Sequence, residues 1–345
     1  MIKYLFKNDQ NLYKANLHCH TTVSDGDCTP EEIKEIYKKE GYSVVAYTDH
    51  DIMVAHPELR DDEFLPLTGF EIELDQKVDG KDWLNSKTCH ICFVALDEDK
   101  DVMPFRRDEL YIWGNALDYL PTTKFDDNHP PFTREYSPEC VCTMMKLGRE
   151  AGFFVTYNHP HWSMETYEDY INYEGMHAME IYNHDCVING YDDYCPQVFD
   201  EMLRAGKNVL CTATDDNHNR EDADSPKWDS CGGFVMIKAE KLEYKEITNA
   251  LLAGNFYASN GAHIDSVWYD TETKEIHVEC KKAKRVIFSK GSRVPHQFYA
   301  PDGEYFDDVA CKMVENNGYV RITVFDENGK FAATQAFYVK DLMDL

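Results

Sequence analysis

The sequence has no long apolar run and comparatively few positive charges. It contains no stretch of about 18 consecutive apolar residues, so we expect no transmembrane helix and no membrane partner. The charged segment 1–10 lacks the apolar centre of a secretory signal peptide. Lys and Arg number 35 against 63 Asp and Glu, which gives a formal net charge of −28. So acidic a surface repels phosphate backbones, and we therefore expect no binding to long nucleic acids.

Cysteine is present in number but without a disulfide or zinc pattern. The chain has 12 cysteines, and without a secretion signal they predict free thiols in a reducing cytoplasm. Cys89 and Cys92 have the spacing of half a zinc site, but no second pair stands at matching distance. The length of 345 residues predicts about two domains, and 43% hydrophobic residues suffice for folded cores.

Short apolar runs alternate with helical patterns over the first 250 residues. One helix has a clear start, because Thr29 can cap it and Glu32 completes a capping box. The alternation predicts an α/β fold with a mostly parallel sheet, and seven or eight repeats fit a (β/α) barrel. The predicted strands are 15–19, 43–48, 64–69, 91–96, 153–157, 178–182, 209–213 and 234–237.

Two regions depart from this alternation. Residues 97–136 are irregular and rich in Asp, Tyr, Trp and Pro, which predicts an insertion that is either a functional lid or disordered. Beyond residue 260, β-rich segments are separated by turn signals such as Asn317-Gly318. We therefore predict two domains, one over 1–260 and a small all-β sheet or sandwich over 261–345.

Histidines and carboxylates gather at the predicted strand ends. His18 and His20 are two residues apart on a predicted strand, so both project from one face and can chelate an ion, and Asp25 can fold back over them. His90 stands alone at a strand start and by itself indicates a packed histidine. The other candidates follow strands whose ends meet at one rim of a barrel. They are His50, Glu71, His159, Asp216 and His218.

This ligand set is typical of particular metals. Mixed nitrogen and oxygen ligands suit Zn, Mn or Fe. About nine side chains exceed the needs of one ion, so the sequence predicts two or three divalent ions.

The motifs resemble those of the PHP superfamily, named for polymerase and histidinol phosphatase. The similarity covers residues 11–261 and is carried by NLHCHTTVSDG (16–26), TPEE (29–32), GYSVVAYTDHD (41–51), TGFE (68–71), His90, His159-Pro160 and DNH (216–218). It implies a distorted (β/α)7 TIM-like barrel and a metal-dependent phosphoesterase. The implied metal ligands are His18, His20, Glu71 and Asp216 for one ion, Glu71, His90 and His159 for a second, and Asp25, His50 and His218 for a third.

One motif departs from the family pattern. The family usually has Gly-Ser-Asp-x-His, whereas here Thr214 and Asp215 precede Asp216. Spacing favours Asp216 as the ligand, and Asp215 stays open as a substitute or supporting partner.

Further residues are assigned roles around the metals. Asp25 and Asp49 are catalytic candidates, and Asp49 and Asp51, which flank His50, are suited to orienting it. His161 is a candidate proton donor to the leaving group, and a structural loop histidine is an equally open interpretation. Asn183 and Arg220 are candidate substrate contacts.

The leading functional interpretation is hydrolysis of a small phosphorylated metabolite or nucleotide by a metal-activated hydroxide. The same ligands would also serve a metallohydrolase of a carbamate, ester or amide bond, or a nuclease of short oligonucleotides. A non-catalytic binding module is disfavoured by the full ligand set. The oligomeric state stays open.

Overall fold

A computed structural model describes residues 1–7, 9–78, 83–107, 112–126, 128 and 133–343 of the chain. Its strands are β1 (Ile2–Lys7), β2 (Asn11–Asn16), β3 (Val44–Tyr47), β4 (Leu65–Asp75), β5 (Thr88–Ala95), β6 (Val102–Met103), β7 (Lys124–Phe125), β8 (Phe153–Tyr157), β9 (Ala178–Asn183), β10 (Leu210–Thr214), β11 (Phe234–Ala239), β12 (Phe256–Ser259), β13 (Ile264–Asp270), β14 (Glu275–Ala283), β15 (Arg285–Lys290), β16 (His296–Tyr299), β17 (Phe306–Lys312), β18 (Tyr319–Phe325), β19 (Phe331–Ala333) and β20 (Phe337–Tyr338). Its α-helices are α1 (Pro30–Lys39), α2 (Ala116–Tyr119), α3 (Pro138–Glu150), α4 (Tyr167–Tyr170), α5 (His184–Ile188), α6 (Pro196–Arg204), α7 (Tyr244–Ala253) and α8 (Val339–Leu342).

A large mixed sheet forms the centre of the fold. Its 14 strands follow the order β10-β9-β8-β5-β4-β3-β2-β11-β12-β19-β18-β15-β16, with β20 beside β18. Strands β2, β3 and β4 are parallel, as are β8, β9 and β10. Strand β5, however, is antiparallel to both β4 and β8, and β11 is antiparallel to β2 and β12. The α/β class is confirmed, and the mostly parallel sheet is corrected to a mixed one, because β4 and β5 pair as a long antiparallel hairpin.

The sheet curls but does not close. Strand β10 lies beside β11 and β12, yet in the described part of the chain no ladder hydrogen bonds join them. The side chain of Gln335 fills this seam: it accepts from the Cys211 N–H at 2.7 Å and donates to the carbonyl oxygens of Cys211 at 3.0 Å and Phe256 at 3.3 Å. A closed (β/α)7 barrel is therefore not confirmed, since a side-chain amide occupies the place of a backbone ladder.

The described part beyond residue 260 is built mainly of strands, with a 3-10 helix at Glu315–Asn317 and the short helix α8. Strands β13, β14 and β17 form a second sheet together with β1 from the N-terminus, in the order β1-β13-β14-β17. A core of its own lies between this sheet and the far end of the large one, with Val278, Phe288 and Ile322 buried in it. The all-β character of this part is as expected from the sequence. The boundary at 260 stays a prediction, and the pairing of β1 shows that the two parts exchange strands.

Helix α1 forms where the capping motif predicts it. The Glu32 N–H donates to the Thr29 hydroxyl at 3.2 Å, and Glu32 Oε2 accepts from the Thr29 N–H at 2.8 Å, so both halves of the capping box are present. Ile33 and Tyr37 face the core. This fixed helix brings the Tyr37 hydroxyl within 2.8 Å of Asp215, at the base of the candidate site.

The predicted 97–136 insertion lies partly outside the described residues, at 108–111, 127 and 129–132. Its described part contains α2 and the short pair β6 and β7. All 12 cysteines are free thiols, as predicted, and their cytoplasmic setting stays a prediction. Over the described ranges, no helix is both long enough and apolar enough to cross a membrane.

A buried ion pair joins α6 to β18. Arg321 donates through Nε to Asp200 Oδ1 at 2.8 Å and through Nη2 to Asp200 Oδ2 at 2.7 Å, and the Tyr319 hydroxyl donates to Oδ1 at 2.9 Å. Both charged residues are buried. Because β18 belongs to the C-terminal part, this pair couples the two parts of the chain.

Replacing Arg321 should therefore destabilise the whole chain. We expect Arg321→Met to lower the free energy of unfolding by about 3–5 kcal/mol, because Asp200 is left buried without its counter-ion. Arg204→Met is the matched control, since Arg204 approaches the same carboxylate at 4.0 Å with its side chain 52% exposed; its effect should stay below about 1 kcal/mol. Urea unfolding midpoints measure both variants, and equal small shifts would contradict a stabilising pair.

Candidate metal centre

The nine ligand candidates converge at one end of the large sheet. Strands β3, β8 and β10 deliver His50, His159 and Asp216 just after their C-terminal ends. His90 lies near the start of β5, and because β5 runs antiparallel to its neighbours, its start meets their ends. His90, which belongs to no local motif in the sequence, therefore joins the cluster because β4 and β5 pair as an antiparallel hairpin.

Overlapping groups of ligand atoms form this cluster. Within each group the candidate atoms lie within 4.8 Å of one another. Three groups contain the ligands that the family resemblance implies, and two others add Glu180, Asp185 and Cys186. The groups are His20, Asp25, His50 and His218; His18, His20, Glu71 and Asp216; Glu71, His90 and His159; His18, His159 and Glu180; and Asp185, Cys186 and Asp216.

His18 and His20 act as a pair, although not within a strand. The predicted strand 15–19 ends at Asn16, and Cys19 then forms an isolated parallel bridge with Asn217. The extended bridge keeps both imidazoles on one side, with their Nε2 atoms 3.1 Å apart. The two histidines are thus positioned by the isolated bridge at Cys19 rather than by the longer strand that the sequence predicts.

Strained backbone marks three positions of the cluster. Asp51, His159 and Asp216 have φ values of 57°, 21° and 56°, in the left-handed region that non-glycine residues rarely adopt. Such conformations persist where the surroundings enforce them, and they concentrate at functional sites.

The charges of the cluster compensate one another in its buried interior. Burial by itself raises the pKa of Glu71, but the neighbouring His18 and His90 outweigh it and hold this pKa well below its usual range. Conversely, burial lowers the pKa of His20, but the neighbouring carboxylates of Asp216 and Glu71 outweigh it and raise this pKa to about 10. The buried carboxylates therefore demand positive charge, which protons on the imidazoles or metal ions can supply.

The donor set fits divalent metal ions. Among the described residues, His20 Nδ1, His50 Nδ1 and Glu71 Oε2 are buried and have no hydrogen-bond partner. Buried polar atoms are almost always paired, so three orphans in one cluster indicate a missing partner such as an ion. Imidazole and carboxylate together suit Zn, Mn or Fe, as the sequence predicts.

Glu180 orients the cluster from behind. Its Oε1 lies 2.7 Å from His18 Nδ1 and accepts from the Thr214 hydroxyl at 2.6 Å. Its Oε2 accepts from the His159 N–H at 3.0 Å and from Asn183 Nδ2 at 3.0 Å. A carboxylate on Nδ1 fixes the imidazole so that Nε2 faces the cluster.

Asn158 supports Glu71 in the same way. Its Nδ2 donates to Glu71 Oε1 at 2.8 Å. Asn158 therefore positions the carboxylate of Glu71. The sequence motif Asn158-His159 does not by itself indicate this role.

Asp49 has a different role from the one predicted. Its carboxylate accepts hydrogen bonds from the backbone and hydroxyl groups of Thr21 and Ser24, at 2.7–3.2 Å. It thereby holds the loop that leads to Asp25, and its contacts do not orient His50. Instead, His50 Nδ1 lies 3.3 Å from Glu71 Oε2.

Asp51 likewise turns away from His50. Arg107 pairs with it at 2.7 Å, and Arg134 also pairs with it. Arg107 further pairs with Glu73 at 2.5 Å. Both arginines come from the predicted insertion, which is thus tied to the edge of the cluster by ion pairs that carry no sequence motif.

The two predicted substrate contacts differ in accessibility. Asn183 is fully buried and donates to Glu180 and to Asp216, so its amide is committed to the protein. Arg220 is 62% exposed in its side chain and donates to Asp25 Oδ2 at 2.8 Å. Arg220 is therefore placed at the mouth of the cluster, whereas Asn183 orients ligands.

The predicted proton donor lies outside the ligand groups. The backbone N–H of His161 donates to Asp193, and His161 Nδ1 lies 2.8 Å from the Asp192 carbonyl oxygen. A carbonyl can only accept, so Nδ1 carries a proton and Nε2 is left for other contacts. Asp193 also accepts from the Trp162 N–H at 2.8 Å, which fixes this loop.

Two tryptophans, which the sequence does not single out, flank the cluster. Trp113 is 42% exposed, and its ring centroid lies 5.3 Å from that of His50. Trp162 is partly exposed and lies 5.1 Å from His90 and 5.0 Å from His159 in edge contacts.

Asp215 and Asp216 point to different surroundings. Asp215 accepts from the N–H groups of Cys231, Gly232 and Gly233 at 2.6–2.8 Å and from the Tyr37 hydroxyl. Burial raises the pKa of Asp215 to about 7, although these hydrogen bonds act in the opposite direction. Asp216 Oδ1 instead lies 3.0 Å from Nε2 of both His18 and His20. The geometry thus brings Asp216 into the cluster and leaves Asp215 to hold a turn.

Gly233 permits that turn. A Cβ at this position would lie 2.2 Å from the Thr214 carbonyl oxygen, so only glycine allows the approach to β10.

Of three comparisons with known proteins, the one with solved structures found matches. A scan against protein-family models and a search of curated proteins found no match. A two-domain protein from Bacteroides vulgatus containing a predicted PHP-like metal-dependent phosphoesterase is 14% identical over 97% of this chain and 89% of its own, with a TM-score of 0.45. A putative metal-dependent phosphoesterase from Bifidobacterium adolescentis is 16% identical over 61% and 90%, with a TM-score of 0.39. An amidohydrolase from Chromobacterium violaceum with bound sulfate is 14% identical over 59% and 87%, with a TM-score of 0.37.

At these TM-scores, the function proposed below depends on the site's own residues.

Substituting the two adjacent aspartates should separate their roles. We expect Asp216→Asn to remain folded and lose bound metal, because an amide supplies a weaker ligand at the centre of the cluster. Asp215→Asn should keep its metal but lose about 1–3 kcal/mol of stability, because its amide nitrogen faces backbone N–H donors. Elemental analysis and urea unfolding of both variants test this, and selective metal loss in Asp215→Asn would make Asp215 the ligand.

Proposed function

We propose that this chain is a metal-dependent phosphoesterase of the PHP superfamily that hydrolyses a small phosphorylated metabolite or nucleotide. Its catalytic part would be a distorted (β/α)7 barrel over 1–260, open at the seam beside β10, with the all-β part over 261–345 attached. The observation that supports this most is the sharing of Glu71 between separate groups of ligand atoms.

Each oxygen of Glu71 faces a different set of imidazoles. Oε1 lies 3.2 Å from His18 Nε2, 3.2 Å from His90 Nδ1 and 3.5 Å from His159 Nε2. Oε2 lies 3.3 Å from His20 Nε2 and 3.3 Å from His50 Nδ1. A carboxylate placed between imidazoles on both sides is what a bridge between two ions requires, and this supports two or three divalent ions rather than one.

Metals bound at such a site would polarise a phosphoryl group and bring the pKa of a bound water towards 7. The residues of this chain prepare the site for that chemistry. Glu180, Asn158 and Asn183 orient His18, Glu71 and Asp216 before any substrate arrives, so little reorganisation is needed during the reaction.

The mouth of the site supplies the remaining groups. Arg220 is exposed beside Asp25 and can contact an anionic substrate. A positive charge there is valuable, because a chain with a formal charge of −28 otherwise repels phosphate. We keep His161 as the candidate donor of a proton to the leaving alkoxide; because Nδ1–H is hydrogen-bonded to the Asp192 carbonyl, the donated proton would be the second one, carried on Nε2 of the imidazolium form.

The proposal predicts both metal content and activity. We expect more than one equivalent of metal per chain after incubation with Mn²⁺ or Zn²⁺, because ligand atoms exceed the needs of one ion. Hydrolysis of phosphate monoesters should disappear with chelator and return with metal. The measurements are elemental analysis and a panel of phosphomonoesters, nucleoside bisphosphates, cyclic nucleotides, short oligonucleotides and carbamates.

Each outcome of the panel has a meaning. Hydrolysis of carbamates, esters or amides without phosphoesters would replace the proposed reaction, and cleavage confined to oligonucleotides would make the protein a nuclease. One equivalent of metal or less would contradict the multinuclear site.

Glu71 should be the most damaging ligand to replace. We expect Glu71→Gln to abolish hydrolysis and to lower metal content by more than His218→Ala, because it removes charge from two neighbouring ligand groups at once. His218 is the matched comparison, since it belongs to one group. Variants are compared at equal folded fraction, because metal binding and folding are coupled. Retention of metal and activity in Glu71→Gln would exclude a bridging role.

A further inference from the structure

The mouth of the metal centre has an aromatic side. Trp113, from the insertion, leaves 42% of its surface exposed next to His50. Trp162, from the loop after β8, touches His90 and His159 with its ring nearly perpendicular to both. The two indoles therefore border the same cluster through ligands on different strands.

Ligand sites commonly combine aromatic side chains with a small number of precisely placed polar groups. Trp113 contacts the His50 ring at an interplanar angle of 39°, which places it beside the cluster. A phosphoryl group held at the cluster would carry its ester substituent out past these rings.

Three carboxylates at the edge of the cluster and in the loop of Trp162 are already engaged. The carboxylate of Asp51 accepts from Arg107 and Arg134, and Glu73 accepts from Arg107. Asp193 accepts from the N–H groups of His161 and Trp162. A sugar stacked on an indole also needs hydrogen-bond partners for its hydroxyl groups, and these carboxylates are committed to the protein. The surface therefore favours a flat apolar ring.

We propose that Trp113, with Trp162, forms a subsite for an aromatic ring on the alcohol side of the phosphate ester. This inference rests on the proposed phosphoesterase function and names its substrate class: phosphate monoesters that carry an unsaturated ring close to the ester oxygen. Stacked and edge-to-face aromatic pairs contribute about 0.5–1.5 kcal/mol beyond their buried area.

Binding of non-hydrolysable phosphonates tests the subsite without requiring catalysis. We expect the Mn²⁺-loaded protein to bind phenylphosphonate roughly 3- to 10-fold more tightly than methylphosphonate, the range that corresponds to one aromatic pair. Trp113→Ala should remove this difference, and Trp113→Phe should keep most of it. Tyr299→Ala is the control, because Tyr299 is an aromatic residue on β16, in the C-terminal part, that is also exposed, at 62%.

Kinetics separate this inference from the function on which it rests. In Trp113→Ala, KM for phenyl phosphate should rise by a similar factor, while KM for glycerol 3-phosphate stays constant. If the wild type hydrolyses no phosphoester but keeps its preference for phenylphosphonate through Trp113, the proposed function fails and the aromatic subsite stands.

Three results would overturn the subsite. The first is equal affinity for both phosphonates, or no binding of either, in the wild type. The second is an unchanged preference in Trp113→Ala of verified fold. The third is an equal loss of glucose 6-phosphate affinity in Trp113→Ala, which would identify a surface for saturated rings.

Discussion

The negative charge of Glu71 is surrounded by imidazole rings, and the other residues of the site are arranged around this carboxylate. Burying a carboxylate is strongly unfavourable unless positive groups and hydrogen bonds compensate it. Five imidazoles approach its two oxygens within 3.5 Å, and the Asn158 amide donates to one of them. These partners come from separate strands, so the sheet must assemble before the carboxylate is compensated. Fold and site therefore depend on the same interaction.

Most of this cluster can be predicted from the sequence, because the positions of its ligands follow from short motifs and from the ends of single strands. The His-x-His spacing places His18 and His20 together whether they stand in a strand or in a short bridge. His50, His159 and Asp216 follow strands whose ends share one edge, so their meeting needs only the α/β class. The choice between Asp215 and Asp216 was open in the sequence, because both follow β10. It depends on a turn at Cys231–Gly233 that lies remote in the chain.

What the sequence does not disclose depends on pairing between remote segments. The reversal of β5 brings His90 into the cluster, and nothing in residues 88–95 distinguishes an antiparallel strand from a parallel one. Arg107, Arg134 and Trp113 come from an irregular insertion without periodicity, so their positions follow from tertiary contacts alone. Asp49 was expected to hold His50 because the two are adjacent, yet adjacent residues point apart in extended chain, and its carboxylate meets Thr21 and Ser24 instead.

The amide of Gln335 has a consequence for the order in which this protein can be completed. It satisfies the backbone N–H and C=O of Cys211 at the edge of β10, yet it stands 124 residues further along the chain. A polypeptide is synthesised from its N-terminus, so the strands that carry the metal ligands emerge from the ribosome long before residue 335. Until then, β10 presents an unpaired strand edge, the feature through which folding intermediates associate with one another. Residues made long after β10 are thus the ones that cover this edge of the ligand-bearing sheet.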